Sequence, residues 1–488
     1  MKKDAGILMP VLSLPNKYGC GDFGKVAYKF IDKIAACGFS IWQILPLQPL
    51  GYGASPYQPY SSKAMDELYI SLDMLEEDGL LEKSGLNSFN ENSLNIKYEE
   101  VRNYKTKLYK KAFENFKPTQ EFEEFRKEKW VNNYAVYITF KKENSLKSWQ
   151  EWPDDEKFFP ENKEIDLEKY KKEIEYEIFI QYLLNKQWNR LRDYANLKGL
   201  KIMGDVPFYV GLDSEDVWWH KDMFLLDEEA KPTFIAGVPP DSFSATGQRW
   251  GNPIYNWERI EEDHFGFWID RLHFASKLYD ITRIDHFRAF STYWKVPATC
   301  PTAMEGEWIE APGYKFFDYL FEKYPDISIV AEDLGDYMDD VYVLRDHFNL
   351  KGMIITQQMF DKTDYGDTLS HQIVYTGTHD NDPIESWFYS KSPEQRFEYI
   401  EVLSDEGYRN MNISDAMVEY ALSRKAETAV LPMCDILRLG STARINAPGL
   451  MDNRNWSWRL TDFDTFNFEL NRLKELLIKY QRSSQKED

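Results

Sequence analysis

Three acidic residues each follow a short apolar run of the sequence. They are Asp285 in TRIDHFRAF, Glu332 in SIVAEDLG and Asp380 in YTGTHDND. A single acid at the end of a strand is more often a helix cap or a solvated charge than a catalyst. In a barrel of parallel strands, however, all carboxyl ends open on one rim, where like charges repel strongly. Three such acids therefore indicate an acidic catalytic site at a common rim.

Two of these acids have neighbours that would adjust their protonation. Arg283 stands two residues before Asp285, so both side chains point to the same face of the strand. The guanidinium should lower the pKa of Asp285 and keep it ionised, as a nucleophile requires. Glu332 follows the apolar run ISIVA, and partial burial should raise its pKa, as a proton donor requires. Two carboxyl groups with separated pKa values are the groups that glycoside cleavage uses.

Other kinds of site find little support in the sequence. GCGDFG at residues 19–24 matches the dinucleotide pattern GxGxxG, but no acidic residue stands near Leu45, where the next strand ends. We therefore expect these glycines to form a turn. The seven histidines lack metal-ligand spacing, DKTDYGD lacks the final Glu of a calcium loop, and the four cysteines form no CxxC pair. We expect no metal and no cofactor.

The composition limits the class of partner. The 488 residues include 59 Lys and Arg against 81 Asp and Glu, a net charge of −22, which disfavours nucleic acid and anionic membrane surfaces. The 15 Trp, 31 Tyr and 31 Phe stand largely beside polar residues, a surface that suits a neutral, flat ligand such as a sugar. No apolar run reaches the roughly 18 residues of a membrane helix. We expect a cytoplasmic protein with no membrane contact.

Eight short apolar segments alternate with stretches of helical periodicity. Most of them lack the period-two pattern of a half-exposed sheet, as parallel strands buried on both faces do. Eight is also the number of strands in a (β/α)8 barrel, and the sequence therefore predicts an α/β fold of the TIM-barrel type. The predicted strands are Gly6 to Met9, Ser40 to Leu45, Leu200 to Val206, Ile281 to Asp285, Ile327 to Glu332, Met353 to Gln357, Ile373 to His379 and Thr428 to Leu431.

The spacing of these segments predicts insertions into one catalytic barrel domain that spans residues 1–488. The gap between the second and third strands far exceeds the roughly 30 residues of a βα repeat. Its helical periodicity predicts an inserted helical subdomain, residues 65–196, whose charge runs we interpret as solvated helix faces. Residues 210–270 are rich in Gly, Pro and aromatic residues and are predicted to form loops over the barrel mouth, including a lid. The C-terminal segment from Leu470 predicts an amphipathic closing helix.

Several ordered strings resemble those of one enzyme family. They are SPYQPYS, GDVPFYV, GVPPDSFSATGQRWGNPIY, RIDHFRAF, AEDLG, GTHDND and LGSTARINAPG, spread over about Gly6 to Leu460. Together they resemble the 4-α-glucanotransferases, or amylomaltases, of glycoside hydrolase family 77. The resemblance covers nearly the whole chain, and its long glycine and proline loop is highly specific.

The resemblance implies an α-retaining transfer reaction on a (β/α)8 barrel with inserted subdomains. By motif position, Asp285 would be the nucleophile, Glu332 the general acid and base, and Asp380 a third carboxylate that holds and distorts the donor sugar. The partners would be α-1,4-glucans, maltodextrins and glucose, with the protein a monomer or a weak homodimer. Further residues would contact the glucan: Tyr57, Asp205, Phe243, Trp250, Arg283 and His379.

Two alternative functions stay open at this point. One is a hydrolase that uses the same chemistry, and the other is a glucan-binding protein that has lost catalysis. The presence of Asp285, Glu332 and Asp380 argues against the second, because binding alone needs neither an acid nor a nucleophile.

Overall fold

Eight parallel strands form a barrel in the computed structural model. The structure describes residues 3–240, 244–335, 338–450 and 453–485. Each predicted strand has a counterpart in the structure, shortened or shifted by a few residues at its ends. Four further strands lie outside the barrel. Within the described residues the strands are β1 (Asp4–Leu8), β2 (Ile41–Gln43), β3 (Lys201–Val206), β4 (Phe234–Val238), β5 (Gln248–Pro253), β6 (Ile281–Ile284), β7 (Thr292–Pro297), β8 (Glu307–Glu310), β9 (Ile329–Ala331), β10 (Gly352–Ile355), β11 (Gln372–Tyr375) and β12 (Thr428–Pro432).

Helices follow most barrel strands and fill the long gap between β2 and β3. In the described part of the chain they are α1 (Lys25–Cys37), α2 (Leu72–Glu77), α3 (Tyr98–Asn115), α4 (Gln120–Phe125), α5 (Lys129–Glu143), α6 (Asp154–Lys157), α7 (Phe159–Asn162), α8 (Lys171–Leu197), α9 (Glu215–Trp219), α10 (Trp257–Glu262), α11 (Gly266–Leu278), α12 (Gly313–Lys323), α13 (Asp339–His347), α14 (Thr356–Asp361), α15 (Ile384–Tyr389), α16 (Pro393–Asp405), α17 (Ile413–Ser423), α18 (Met433–Ile436) and α19 (Asp464–Lys479). None of the described helices combines the length and the apolar character that a membrane span needs.

The barrel sheet closes on itself. Its strand order is β10-β11-β12-β1-β2-β3-β6-β9, and every neighbouring pair is parallel. A parallel bridge between Val330 of β9 and Lys351, which precedes β10, joins the two ends, and Ala331 N donates to Lys351 O at 2.8 Å. The predicted (β/α)8 fold class is confirmed.

Close packing of the third strand requires a glycine. A Cβ atom added to Gly204 in β3 would lie 2.2 Å from the ring of Tyr279, which is fully buried beside it. No side chain fits at that distance, so the ring takes the space that a Cβ would fill.

The first insertion contains α2 to α8, and its longest helices, α5 and α8, pack against each other. Most of its charged residues are exposed, as the sequence indicates, but Lys105 and Lys141 are fully buried. Lys105 donates to the carbonyl oxygens of Leu68 and Ile70, so this lysine anchors α3 to the chain that precedes α2.

The second insertion is more regular than a set of loops. It contains α9, α10 and the antiparallel strands β4 and β5, which pair with β7 and β8 in the order β5-β4-β7-β8. The sequence missed these strands because their glycines and prolines are typical of turns. The assignment of 65–196 and 210–270 as subdomains stays a prediction.

A buried arginine fixes the end of the barrel opposite to the acids. Arg482 lies just after α19 and is fully buried, and burial lowers the pKa of its guanidinium to about 10. The guanidinium donates to backbone carbonyl oxygens around the starts of β1 and β12, namely those of Asp4, Leu422, Arg424, Ala426 and Glu427. This single side chain therefore joins the C-terminal segment to both terminal strands of the barrel.

We expect Arg482→Met to lower the free energy of unfolding by about 3 kcal/mol, because buried carbonyl groups would lose a charged donor. Urea denaturation followed by intrinsic fluorescence measures the effect. Arg190→Met is the matched control. Arg190 is exposed, and its Nη1 lies 4.0 Å from Asp78 Oδ1, the outer limit of an ion pair, so its loss should cost less than about 0.5 kcal/mol. Equal stability of the two variants would contradict the anchoring role of Arg482.

Candidate active site

The three predicted acids lie at the carboxyl ends of strands on one part of the barrel rim. Asp285 directly follows β6, Glu332 directly follows β9, and Asp380 lies in the loop after β11. The strands β6, β9, β10 and β11 are consecutive around the closed barrel. The parallel arrangement therefore brings together acids that are far apart in the sequence.

A shared guanidinium connects Asp285 to a second, fully buried aspartate. Arg283 Nη1 donates to Asp205 Oδ2 at 2.6 Å and to Asp285 Oδ1 at 3.0 Å. Asp205 and Arg283 are register partners on β3 and β6 and are 0% and 3% exposed. The Tyr57 hydroxyl donates to the same Asp205 oxygen at 2.7 Å. Three predicted binding residues, Tyr57, Asp205 and Arg283, thus form one hydrogen-bonded chain that ends at Asp285.

Burial corrects one expectation about Asp285. Its pKa is raised above the ordinary aspartate value, because desolvation outweighs the lowering effect of Arg283 and because Asp205 and Asp380 add negative charge. Arg283 is close to Asp285 in the sequence, whereas the burial of Asp285 depends on residues that are distant in the sequence. The predicted net lowering of this pKa is therefore wrong, although Arg283 acts in the expected direction.

The pKa of Glu332 is also raised, as the sequence predicts. Burial is the main cause, and the neighbouring charge of Asp285 adds to it. Arg283 contacts Asp285 directly, so the ionised form of that carboxyl gains the stronger stabilisation. In this coupled pair we therefore assign the first ionisation to Asp285 and the remaining proton to Glu332.

Backbone groups hold the Glu332 carboxyl in place. Its Oε2 accepts from His286 N at 2.7 Å, and its Oε1 accepts from Leu334 N at 3.3 Å. His286 adopts a left-handed conformation with φ 51°, a turn that follows β6 at once. This turn directs the N–H next to Asp285 towards Glu332, so the two carboxyl-bearing strand ends are bonded to each other.

Asp380 is held by residues of a distant loop. Its Oδ1 accepts from Asn446 Nδ2 at 2.6 Å, and Arg444 Nη2 donates to its backbone oxygen at 3.0 Å. The neighbouring His379 is buried, burial lowers its pKa, and its Nε2 lies 3.5 Å from Asp380 Oδ2. The Asp380 side chain remains 41% exposed and is therefore available to a ligand.

An aromatic wall lies beside these groups. The rings of Tyr57 and His379 stack with their centres 5.1 Å apart and their planes at 11°. The centre of the Trp456 ring lies 5.6 Å from that of Tyr57 and 5.8 Å from that of His379. Flat rings next to carboxylates form a surface that is apolar on its face and polar at its edge, as a sugar ring requires.

The loop that contains Tyr57 is fixed by the start of α9. Ser61 Oγ donates to Glu215 Oε2 at 3.1 Å, and Ser62 N donates to Asp216 Oδ2 at 2.7 Å. Glu215 and Asp216 are both buried, which makes these bonds costly to lose. The position of the Tyr57 hydroxyl thus depends on two carboxyl groups of the second insertion.

Trp250 on β5 connects the second insertion to the catalytic strands. Its ring meets the His286 ring edge-on at 4.8 Å and 86°, and its backbone oxygen accepts from Gln58 Nε2 at 2.9 Å. The predicted lid residue Trp250 therefore lies beside the residue that follows Asp285. Phe243, the other predicted lid residue, is outside the described residues.

Three residues of this site were not predicted: Asn446, Arg444 and Trp456. Asn446 and Arg444 belong to LGSTARINAPG, a string that the sequence analysis used for the resemblance without assigning roles to its side chains. Position relative to a strand gives no signal for them, because they lie in a loop after α18. Among the described residues, no three or more His, Cys, Asp and Glu side chains are grouped so that they could hold a metal ion.

Comparisons with known proteins identify the family of this chain. Residues 9–465 match the glycoside hydrolase family 77 profile, described as 4-alpha-glucanotransferase. The 4-alpha-glucanotransferase of Aquifex aeolicus is 41% identical over 98% of this chain and 99% of its own length. That of Clostridium butyricum is 40% identical over 97% of this chain and 100% of its own length.

A solved structure shares both fold and sequence. The amylomaltase from Streptococcus agalactiae in complex with acarbose superposes with a TM-score of 0.94 at 34% identity, covering 99% of this chain and 100% of that one. Profile, relatives and structure confirm the resemblance seen in the sequence. The chain belongs to the 4-alpha-glucanotransferase family of glycoside hydrolases.

Proposed function

We propose that this enzyme moves α-1,4-glucan segments from a donor maltodextrin to the 4-hydroxyl of glucose or another glucan, by retaining double displacement through a covalent glycosyl-aspartate. The main support is the Arg283 guanidinium, which bonds to both Asp205 and Asp285. Arg283 orients Asp285, and the backbone of the adjacent His286 orients Glu332. The end of β6 and the turn that follows it would therefore position both a nucleophile and an acid.

In the first displacement, Glu332 donates its proton to the glycosidic oxygen while Asp285 attacks the anomeric carbon. The carbon–oxygen bond of the linkage breaks, and the shortened glucan leaves with the proton. Arg283 holds Oδ1 of Asp285, so we assign the new bond to Oδ2. The product is a glycosyl ester on Asp285.

In the second displacement, the ionised Glu332 accepts a proton from the 4-hydroxyl of the acceptor, whose oxygen attacks the anomeric carbon. Two inversions restore the α-linkage, and Glu332 regains its proton. This geometry requires a separation of about 5 to 5.5 Å between the two carboxyl groups.

Asp380, His379 and Tyr57 would bind the donor sugar. A neutral His379 can both donate and accept a hydrogen bond, because burial lowers its pKa. The partly exposed Asp380 carboxylate accepts from sugar hydroxyls, and bonds that strengthen as the ring flattens stabilise the transition state. Asn446 keeps that carboxylate in place.

Transfer exceeds hydrolysis only if a sugar reaches the intermediate before water does. The site must therefore bind an acceptor and exclude solvent. We assign this role to Trp250, whose ring covers His286 next to the reacting carboxylate.

A hydrolase with the same acids is the second candidate function, and incubation with maltotriose distinguishes the two. Transfer releases glucose together with longer oligomers and no net gain in reducing ends.

The remaining expectations about the enzyme stay predictions: α-1,4-glucans, maltodextrins and glucose as partners, a monomeric or weakly dimeric state, and a cytoplasmic location. The position of aromatic rings beside the partly exposed acids supports a neutral carbohydrate ligand.

We expect Asp285→Asn to lower kcat on maltotriose by at least about a thousandfold, because an amide cannot form the glycosyl ester. Product release followed by chromatography measures the loss. Asp405→Asn, an exposed position on α16, is the matched control and should retain wild-type kcat. Ordinary turnover in the Asp285→Asn enzyme would exclude its role as nucleophile.

The raised pKa of Glu332 predicts the direction of the pH dependence. A proton held above the ordinary glutamate range keeps the acid form at neutral pH, and kcat/KM should fall as the pH rises through this raised pKa. The measurement is kcat/KM for maltotriose from about pH 5 to 10, with circular dichroism at each pH to confirm folding. Activity that has already fallen to its high-pH level by about pH 6, as an ordinary glutamate pKa would give, would contradict this assignment.

We expect Trp250→Ala to raise hydrolysis relative to transfer severalfold, since water would gain access to the glycosyl ester. The ratio of reducing ends formed to glucose released from maltotriose reports this change. Trp250→Phe, which keeps an aromatic ring, should lie between wild type and Trp250→Ala. A product ratio equal to that of wild type in both variants would show that another group excludes water.

A further inference from the structure

We propose that Trp308 and Arg288 form an outer glucan platform, a binding surface for a glucose unit of an α-1,4-glucan that lies beyond the units at the three acids. This inference rests on the proposed glucan transfer. It adds a site outside the one described above, on the antiparallel sheet beside the barrel mouth.

The platform is a flat ring that the protein holds still. Trp308 lies on β8 and is 42% exposed. The Arg288 guanidinium carbon lies 4.1 Å from the centre of its ring, and Trp294, its register partner on β7, meets it edge-on at 5.2 Å and 64°. Protein groups thus support one face and one edge of the indole while much of the ring stays open to solvent. An exposed tryptophan fixed in this way loses little conformational entropy when a ligand stacks on it.

The platform is attached to the two loops that contain the nucleophile and the acid. Arg288 is three residues after Asp285, no more than roughly 10 Å along the chain. Its Nη1 lies 3.1 Å from the sulfur of Met338, in the loop that follows Glu332 and β9, and its Nη2 donates to Thr292 Oγ1 at 3.3 Å. We expect a glucan that extends from the site over these loops to reach the Trp308 ring.

The polar groups around the ring match a neutral sugar. Glu310 lies two residues from Trp308 on the same face of β8 and is exposed, so its carboxylate can accept from sugar hydroxyls. The indole N–H of the partly exposed Trp308 adds a hydrogen-bond donor at the edge of the ring. Glu307 is paired with Lys295 at 2.9 Å, and the exposed Glu310 disfavours an anionic ligand. An apolar face with both donors and acceptors at its rim is the surface that a glucose ring needs.

The test compares substrates of different length. Trp308→Ala should lower the ratio of kcat/KM for maltoheptaose to kcat/KM for maltotriose about five- to tenfold, because only the longer chain reaches the platform. Trp308→Phe, which keeps a flat ring, should restore part of this ratio. Binding of maltoheptaose to Asp285→Asn, with and without Trp308→Ala, gives the same comparison by calorimetry without turnover.

Tyr389→Ala is the matched control, because Tyr389 is an exposed aromatic residue at the end of α15 outside both sites. It should leave the length ratio at the wild-type value. An equal effect of Trp308→Ala on both substrates, with a lowered thermal midpoint, would overturn the proposal in favour of a structural role. Unchanged length dependence with loss of self-association would overturn it in favour of a protein contact. A failure of the proposed transfer itself would show in the wild-type products from maltotriose, independently of these variants.

Discussion

One buried guanidinium holds the catalytic end of this barrel together. Arg283 bonds to Asp205 on the neighbouring strand and to Asp285 on its own. Without that cation the buried Asp205 carboxylate and the partly exposed Asp285 carboxylate would repel each other, and removal of the partner of a buried charge typically costs several kcal/mol. Because Arg283 bonds to Oδ1 of Asp285, our proposal assigns the glycosyl bond to Oδ2. Tyr57 joins the same network through Asp205, so in our proposal the groups that bind the donor and orient the nucleophile share one set of bonds.

The closed barrel places this local network beside the other two acids. Its closure makes β6, β9, β10 and β11 consecutive, and each of the three acids follows one of these strands. The left-handed turn at His286 then directs a backbone donor at Glu332. Burial raises the pKa of both carboxyls, while direct contact with Arg283 favours ionisation of Asp285. This unequal contact with Arg283 is why we propose Glu332 as the acid and Asp285 as the nucleophile.

The antiparallel sheet of β4, β5, β7 and β8 adds aromatic side chains beside the mouth of the barrel. Its outermost strands, β5 and β8, provide Trp250 and Trp308, respectively. The first covers the residue beside the nucleophile, and the second presents a supported ring to solvent. A transferase must exclude water and still admit a long acceptor. In our proposals these two demands are met by opposite edges of one sheet.

The sequence by itself determined the barrel and its acids, because an apolar run followed by a carboxylate is a local pattern and the C-terminal rim follows from parallel closure. It also placed Arg283 beside Asp285, since period-two geometry is local. It did not determine the raised pKa of Asp285, which depends on burial by residues from the whole rim. The contact of Asn446 with Asp380 and the strands β4 and β5 also needed the tertiary structure. Long-range packing decides which loops, distant in the sequence, contact each other. These contacts determine how far each carboxyl group is desolvated and which groups bond to it by hydrogen bonds.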